Sequence, residues 1–147
     1  MSEKTVGASV LYVEDDDNDV LFMQVAFRKA GLPHSLQIVR NGKEAMDYLA
    51  GNEPYADRAK YPQPCLVLLD LNMPVCTGFD VLKWARQQPQ FQRLPIVVLT
   101  ASSKESDRKL AQLLGANEFV TKPNDTRELP GLLRGLRDRW LTPLPAL

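Results

Sequence analysis

Five short apolar segments recur along the chain, separated by longer segments of mixed polarity. Four of the five are continuous rather than alternating, a pattern typical of strands buried on both faces of a parallel sheet. The fifth is too short to classify by its pattern. The predicted strands are Val10–Val13, Leu36–Val39, Cys65–Leu69, Ile96–Leu99 and Glu118–Thr121.

Capping signals between these segments indicate helices. Ser, Thr, Asp and Asn begin helices because their side chains accept a hydrogen bond from the first turn, and glycine commonly ends them. The predicted helix limits, in chain order, are Asp17 or Asn18 to Gly31, Asn41 (with Glu44) to Gly51, Thr77 to before Pro89, Ser102 (in a capping box with Glu105) to Gly115, and about Asp125 to Trp140.

Strand–helix units repeated five times predict one α/β domain, a doubly wound five-stranded parallel sheet with helices on both faces. We expect it to span residues 8–141, between an N-terminal arm at 1–7 and a tail at 142–147. Two segments depart from a compact pattern. The connection Gly51–Pro64 contains three prolines, and Pro130–Gly131 lies where the last helix should start, so that helix is expected to begin late or to be kinked.

Composition narrows the class of partner. In 147 residues, 18 Lys and Arg balance 18 Asp and Glu, so no general attraction to nucleic acid or to an anionic membrane is expected. No apolar segment approaches the ~20 residues of a spanning helix, and the N-terminus lacks the apolar region of a signal peptide. Cys65 and Cys76 match no metal-ligand pattern and fit free thiols in the cytoplasm. His34 lies in a predicted turn and is interpreted as structural.

Polar side chains stand at the carboxyl ends of four predicted strands. They are Glu14 and Asp15 after the first, Asp70 after the third, Thr100 at the fourth and Lys122 after the fifth. Each alone is explained by a cap or a turn. Because ligands bind beyond the carboxyl ends of parallel strands, we expect the five side chains to converge on one site. The neighbouring Asp16, Asp17 and Asp19 are instead assigned to the start of a helix, where negative charge is favourable.

Four segments place the chain in a known family. VEDD, LLDLNMPVCTG, VVLTAS and GANEFVTKP resemble, in that order, the motifs of the receiver domain of two-component response regulators. The resemblance covers about residues 8–139. It implies a flavodoxin-like fold with strand order 2-1-3-4-5. It also implies a protein that accepts a phosphoryl group from a sensor histidine kinase and turns over no separate substrate.

The resemblance assigns a role to each site position. Asp70 would be the phosphoacceptor. Mg²⁺ would be held by Asp15, Asp70 and the backbone carbonyl of Asn72, and mostly through water by Glu14. Thr100 and Lys122 would contact the phosphoryl group, Phe119 would switch with Thr100, and the Lys122–Pro123 peptide bond would be cis.

Elementary chemistry agrees with a magnesium-dependent phosphoryl acceptor. Three carboxylates facing one pocket would repel an incoming phosphoryl group, whereas a hard divalent cation takes oxygen ligands and bridges to phosphate. The nucleophile is already ionised at pH 7, so it needs no general base. Phosphoryl transfer then requires mainly positioning and neutralisation of charge.

Three other classes of protein fit these residues less well. A phosphohydrolase of the haloacid dehalogenase type needs a second Asp two positions after its nucleophile, where this chain has Asn72. A flavin-binding module of the same fold needs a phosphate-binding loop after the first strand, which is missing. A receiver reduced to a scaffold would lack a site residue, and none is lacking.

The ends of the chain suggest partners. The connection 51–64 and the ending RDRWLTPLPAL resemble stand-alone regulators paired with bacterial phytochrome kinases. Only seven residues follow Trp140, so we expect no effector domain.

The last helix and the tail are predicted to form a homodimer, because they carry more apolar residues than one buried stripe requires. These residues are Leu129, Leu132, Leu133, Leu136, Trp140, Leu141, Leu144 and Leu147, with Pro143 and Pro145 in the tail. The alternative is a tail that folds back on its own domain.

Overall fold

The structure is a computed structural model that describes residues 9–141. It contains one parallel sheet with strand order β2-β1-β3-β4-β5, so the predicted α/β class and strand order are confirmed. The arm at 1–7 and the tail at 142–147 lie outside the described residues. The strands are β1 (Ser9–Val13), β2 (Ser35–Val39), β3 (Leu66–Leu69), β4 (Ile96–Thr100) and β5 (Glu118–Thr121).

Five α-helices connect and follow the strands. Short 3-10 turns at Pro89–Phe91 and Thr126–Glu128 precede β4 and the last helix. No helix among residues 9–141 has the length and apolar character needed to cross a membrane. The helices are α1 (Asp17–Ala30), α2 (Gly42–Ala50), α3 (Gly78–Gln87), α4 (Glu105–Leu113) and α5 (Leu129–Trp140).

Most predicted helix ends are confirmed. Asn41 caps α2 by accepting from the Glu44 amide, and Gly31 and Gly51 end their helices in the left-handed conformation that glycine adopts without steric cost. Thr77 caps α3 in a reciprocal capping box with Asp80.

Two predicted N-caps are wrong. Asp16, not Asp17 or Asn18, caps α1 by accepting from the Asp19 amide. Lys104 stands at the N-cap of α4 without a side-chain bond, because the Ser102 hydroxyl donates to Asp107 instead.

The two faces of the sheet bury separate apolar clusters. The side chains of β1, β3 and β4 alternate between the two clusters, so one cluster lies against α1 and α5 and the other against α2, α3 and α4. The three central strands are completely buried, as predicted. β2 is less buried than predicted, because it is an edge strand and only Val39 is fully covered.

The start of the last helix follows the prediction that it begins late. The 3-10 turn at Thr126–Glu128 comes first, and α5 then begins at Leu129 with Pro130 in its first turn. Proline is tolerated there because a first-turn amide has no partner within the helix.

The long connection between α2 and β3 packs on the domain. Tyr55 and Tyr61 pack edge-on against each other with ring centroids 5.1 Å apart, and both contact Tyr48 of α2. Arg58 donates to the carbonyl of Leu49 at 2.9 Å, near the carboxyl end of α2. This contact satisfies a helix-end carbonyl and complements the helix dipole.

The apolar side chains of α5 are mostly satisfied within the domain. Leu129, Leu133, Leu136 and Leu141 are buried against the sheet. These four form the one stripe that faces the sheet, so only Leu132 and Trp140 of the predicted set lie outside that stripe among the described residues. Leu132 and Trp140 are half-buried, and the Trp140 indole donates to Glu118 of β5. The predicted tail residues lie outside the described residues.

Candidate functional site

The predicted site residues meet at the carboxyl edge of the sheet. Glu14 and Asp70 follow directly after the adjacent strands β1 and β3, and their amides continue the strand pairing by donating to Val39 and Val13. Thr100 ends β4, and the Lys122 amide donates to its carbonyl at 2.7 Å. Adjacent parallel strands thus bring together residues that are up to 108 positions apart in sequence.

Glu14 is a buried carboxylate with only 1% exposure. Its Oε1 accepts from the Tyr12 hydroxyl at 3.0 Å and from Lys122 Nζ at 2.6 Å, and its Oε2 accepts from the Asp16 amide at 3.3 Å. Burial and the charge of Asp70 raise the pKa of Glu14 to about 7, although the bonds from Lys122 and Tyr12 lower it. Hydrogen bonds therefore hold the Glu14 side chain in place, while burial disfavours its ionised form.

Asp70 is 5% exposed and is held at a tight turn. Its Oδ1 is 3.5 Å from the Asn72 amide. Behind it, Gly78 starts α3 against the Asp70 backbone, where an added Cβ would lie 2.3 Å from the Asp70 carbonyl oxygen. Only glycine fits at that position, so the start of α3 fixes the backbone of the predicted phosphoacceptor.

Lys122 lies between three carboxylates. Its ammonium is 2.6 Å from Glu14, 2.7 Å from Asp19 and 3.9 Å from Asp70. Burial by itself lowers the pKa of Lys122, but the bonds to Asp19 and Glu14 and the charge of Asp70 raise it overall. The side chain is therefore a fixed positive charge at neutral pH.

The expected cis peptide bond at Lys122–Pro123 is not observed. The cis bond among the described residues is Glu53–Pro54. The long, flexible lysine side chain reaches the acids from a trans backbone, so no cis bond is needed to bring the ammonium to the site.

Thr100 and Phe119 are both buried. The Thr100 hydroxyl accepts from the Ser102 amide at 3.3 Å. Phe119, in the neighbouring strand β5, is 6% exposed and has the Arg108 guanidinium 4.8 Å above its ring. The aromatic ring is thus packed inside the domain under a cation from α4.

Three carboxylates form a group that suits a metal ion. Ligand oxygens of Glu14, Asp15 and Asp70 lie within 4.8 Å of one another, and Asp15 is exposed. Carboxylate oxygens are the donors that hard divalent cations prefer. The residues present therefore fit such an ion, and the predicted metal-site acids are brought together.

Sequence reasoning missed three residues of this site. Tyr12 belongs to an apolar strand, so nothing in the pattern indicated that its hydroxyl contacts Glu14. Asp19 was assigned to the start of a helix, and its pairing with Lys122 depends on how α1 packs beside α5 and the 3-10 turn before it. Gly78 was part of a family-like segment, but its close approach to Asp70 could not be derived from the sequence.

Comparisons with known proteins agree with the geometry. A family model described as the response regulator receiver domain matches residues 10–134. Response regulator Rcp1 of Synechocystis sp. is 35% identical over 132 residues, which are 90% of this chain and 88% of that protein. The chain therefore belongs to the response regulator receiver domain family.

Two solved structures are similar over nearly the whole chain. The phosphorylated cyanobacterial phytochrome response regulator RcpA has a TM-score of 0.84 at 33% identity, covering 94% of this chain and 96% of that chain. The Mn²⁺-bound form of Rcp1 has a TM-score of 0.81 at 35% identity, covering 95% of this chain and 99% of that chain. The family membership removes the basis for the dehalogenase and flavin-binding alternatives.

Proposed function

We propose that this chain accepts a phosphoryl group onto Asp70 from a phosphohistidine of a sensor histidine kinase, in a Mg²⁺-dependent reaction. The observation that carries the proposal is the position of Asp70. It is a nearly buried carboxylate beside two further acids that suit a metal ion, with an ammonium 3.9 Å away.

Asp70 is the nucleophile in this proposal. One of its carboxylate oxygens forms a bond to phosphorus while the bond from phosphorus to the histidine nitrogen breaks, and the histidine keeps that electron pair. The start of α3 packs against the Asp70 backbone through Gly78, which leaves no room for a side chain there. No general base among the described residues is required.

Asp15, Asp70 and the backbone carbonyl of Asn72 would hold the metal ion directly, and Glu14 would hold it mostly through water. Bound there, a divalent cation neutralises charge on the acids and on the transferring phosphoryl group. The Tyr12 hydroxyl and the Asp16 amide orient Glu14 toward this position. Lys122 and the hydroxyl of Thr100 would contact phosphoryl oxygens.

Signalling in this proposal passes from Thr100 to Phe119. The Thr100 hydroxyl would leave the Ser102 amide for a phosphoryl oxygen, and the Phe119 ring would move into the space vacated. The phosphoryl group biases such a two-state element only through contacts that differ between the states. An NMR comparison of the Phe119 ring with and without beryllofluoride tests the movement, and identical ring environments would exclude Phe119 as the reporter.

The proposed kinase partner is a bacterial phytochrome. RcpA is a phytochrome response regulator, and this chain shares 33% identity with it over 94% of its own length. Incubation with a phosphorylated phytochrome kinase and with a histidine kinase of another class tests the preference. Faster transfer from the other kinase would argue against the assignment.

Mapping of the phosphoryl label tests the central proposal. With Mg²⁺ and acetyl phosphate or the phosphorylated kinase, wild type should acquire an acyl phosphate that hydroxylamine removes. Asp70→Asn keeps the size and shape of the side chain but should take up no label. Asp17→Asn is the matched control, because Asp17 pairs with Arg40 on the exposed surface and should leave labelling intact. Full labelling of the Asp70→Asn variant would refute the assignment.

We also propose a homodimer through α5 and the tail. Its support in the described residues is reduced to the half-buried Leu132 and Trp140, because the other leucines of α5 are covered by the sheet. Sedimentation of the full chain beside a version ending at Leu141 tests it, since that version keeps the contact between Trp140 and Glu118. The full chain should be dimeric and the shortened chain monomeric. Two monomers at micromolar concentration would end the proposal.

A further inference from the structure

Asp19 makes a contact that its position in a helix does not require. It is the third residue of α1, and its amide is already satisfied by the N-cap residue Asp16. In a capping box, an acid at this position would bond back to the N-cap amide. The Asp19 carboxylate instead accepts from Lys122 Nζ at 2.7 Å, across 103 residues of sequence.

The ammonium of Lys122 is shared unequally among its acidic neighbours. Its contacts to Glu14 and Asp19 are short, charge-assisted hydrogen bonds, whereas Asp70 lies at 3.9 Å, beyond hydrogen-bonding distance. The resting position of the ammonium is therefore set by Glu14 and Asp19. The predicted phosphoacceptor does not hold it.

The two short contacts differ in how easily they are released. Glu14 is 1% exposed, so losing the ammonium would leave a carboxylate that water cannot reach. The Asp19 side chain is 35% exposed, so water can replace the ammonium when the contact breaks. A move of Lys122 toward a phosphoryl group on Asp70 would therefore break the contact with Asp19 first.

We infer that Asp19 is a positioning residue that holds Lys122 away from Asp70 in the unphosphorylated protein and competes with the phosphoryl group for its ammonium. The inference rests on the proposed function of Asp70 and Lys122. Removing the Asp19 charge should favour the phosphoryl-bound state. The resting state then loses its ion pair between Asp19 and Lys122, whereas the bound state has already broken that pair and loses nothing. For a partly exposed ion pair we expect an effect of about two- to fivefold.

Beryllofluoride affinity at saturating Mg²⁺ measures this competition. Asp19→Asn should bind beryllofluoride about two- to fivefold more tightly than Asp17→Asn. The two variants remove one negative charge from the same turn of α1, but Asp17 contacts Arg40 and not Lys122. Asp17→Asn thereby accounts for the general electrostatic effect on an anionic ligand. Equal affinities, or weaker binding by Asp19→Asn, would overturn the inference.

A second measurement needs no phosphoryl mimic. In the metal-free protein, the ammonium protons of Lys122 should exchange slowly with water in wild type and in Asp17→Asn, and faster in Asp19→Asn. Nitrogen-detected NMR of the lysine side chains reports this directly, and a loss of folding would show in the backbone amide spectrum. Unchanged exchange in Asp19→Asn would overturn the inference.

The two measurements separate this inference from the proposed function. If wild type takes no label on Asp70 and binds no beryllofluoride, the proposed function fails and the competition with it. If wild type does both while Asp19→Asn behaves as Asp17→Asn does, only the role of Asp19 is refuted.

Discussion

The buried acid Glu14 should make the metal-free protein less stable as pH rises. Its pKa is raised to about 7 in the folded chain from an ordinary value of 4.5, mainly by burial. Between these two values the folded state binds more protons than the unfolded state, so the free energy of unfolding falls as pH increases. The penalty is absent below the unfolded pKa and is complete above the folded one.

The size of this effect follows from the shift. One pKa unit corresponds to about 1.4 kcal/mol, and most of the shift lies between pH 5 and pH 8, so Glu14 should cost about 2 kcal/mol over that interval. Glu14→Gln keeps the shape and an acceptor oxygen for Tyr12 but does not titrate. The ionic contact with Lys122 forms only as Glu14 ionises, so its contribution is already included in the pKa of about 7.

Urea unfolding in the presence of a chelator measures the difference. From pH 5 to pH 8, wild type should lose about 2 kcal/mol relative to Glu14→Gln, whereas Glu53→Gln, at an exposed position, should follow wild type. Adding Mg²⁺ at about 100 times its dissociation constant should stabilise wild type by about 2.7 kcal/mol, and Glu14→Gln by less. Parallel pH curves for wild type and Glu14→Gln would refute the account of Glu14 as a buried, destabilised acid.

Three further predictions concern the surroundings of the site. Asp15→Asn should weaken Mg²⁺ binding sharply by calorimetry, whereas Asp17→Asn should change it little; equal effects would contradict their separate roles. Val75 has φ of 70° and is 93% exposed, so its backbone is held in the left-handed conformation that a β-branched residue disfavours. Val75→Gly should relieve this backbone strain and raise the free energy of unfolding by about 1 kcal/mol. A decrease would show that the valine is not strained. Arg86 donates to three backbone carbonyls and to Asn117. Because lysine cannot make all these hydrogen bonds, Arg86→Lys should lower the free energy of unfolding by about 2–3 kcal/mol in denaturant titrations. A loss below about 0.5 kcal/mol would contradict this role of Arg86.

The order of strands and helices could be predicted because each element has a local sequence signal. Continuous apolar segments marked four strands, and Asn41, Thr77, Gly31 and Gly51 marked helix ends, since each acts on neighbouring backbone groups. The N-cap of α4 was predicted wrongly because two local signals compete there. Ser102 could cap α4 or bond Asp107, and the choice depends on the placement of side chains that the pattern does not contain.

Burial could not be assigned from hydrophobicity alone. The apolar residues of α5 and its C-cap suggested an exposed surplus, yet Leu129, Leu133, Leu136 and Leu141 pack inward and only Leu132 and Trp140 are half-buried. The residue that follows a helix can still be covered by the domain, as Leu141 is. β2 shows the reverse case, because its place at the edge of the sheet leaves Leu36 and Ile38, which an apolar segment had predicted to be buried, only half-buried.

The sequence by itself determined which chemical groups stand at the ends of the strands. Strand ends are local features, and parallel strands in a known order must present them at one edge, so Glu14, Asp15, Asp70, Thr100 and Lys122 could be named from the sequence. Which of these groups touch each other was decided only by the tertiary structure. The contact of Lys122 with Asp19 depends on the packing of α1 beside α5 and the 3-10 turn before it. The contact of Tyr12 with Glu14 depends on a hydroxyl at the edge of an apolar cluster. Such contacts depend on distances between elements far apart in sequence, and no local pattern contains those distances.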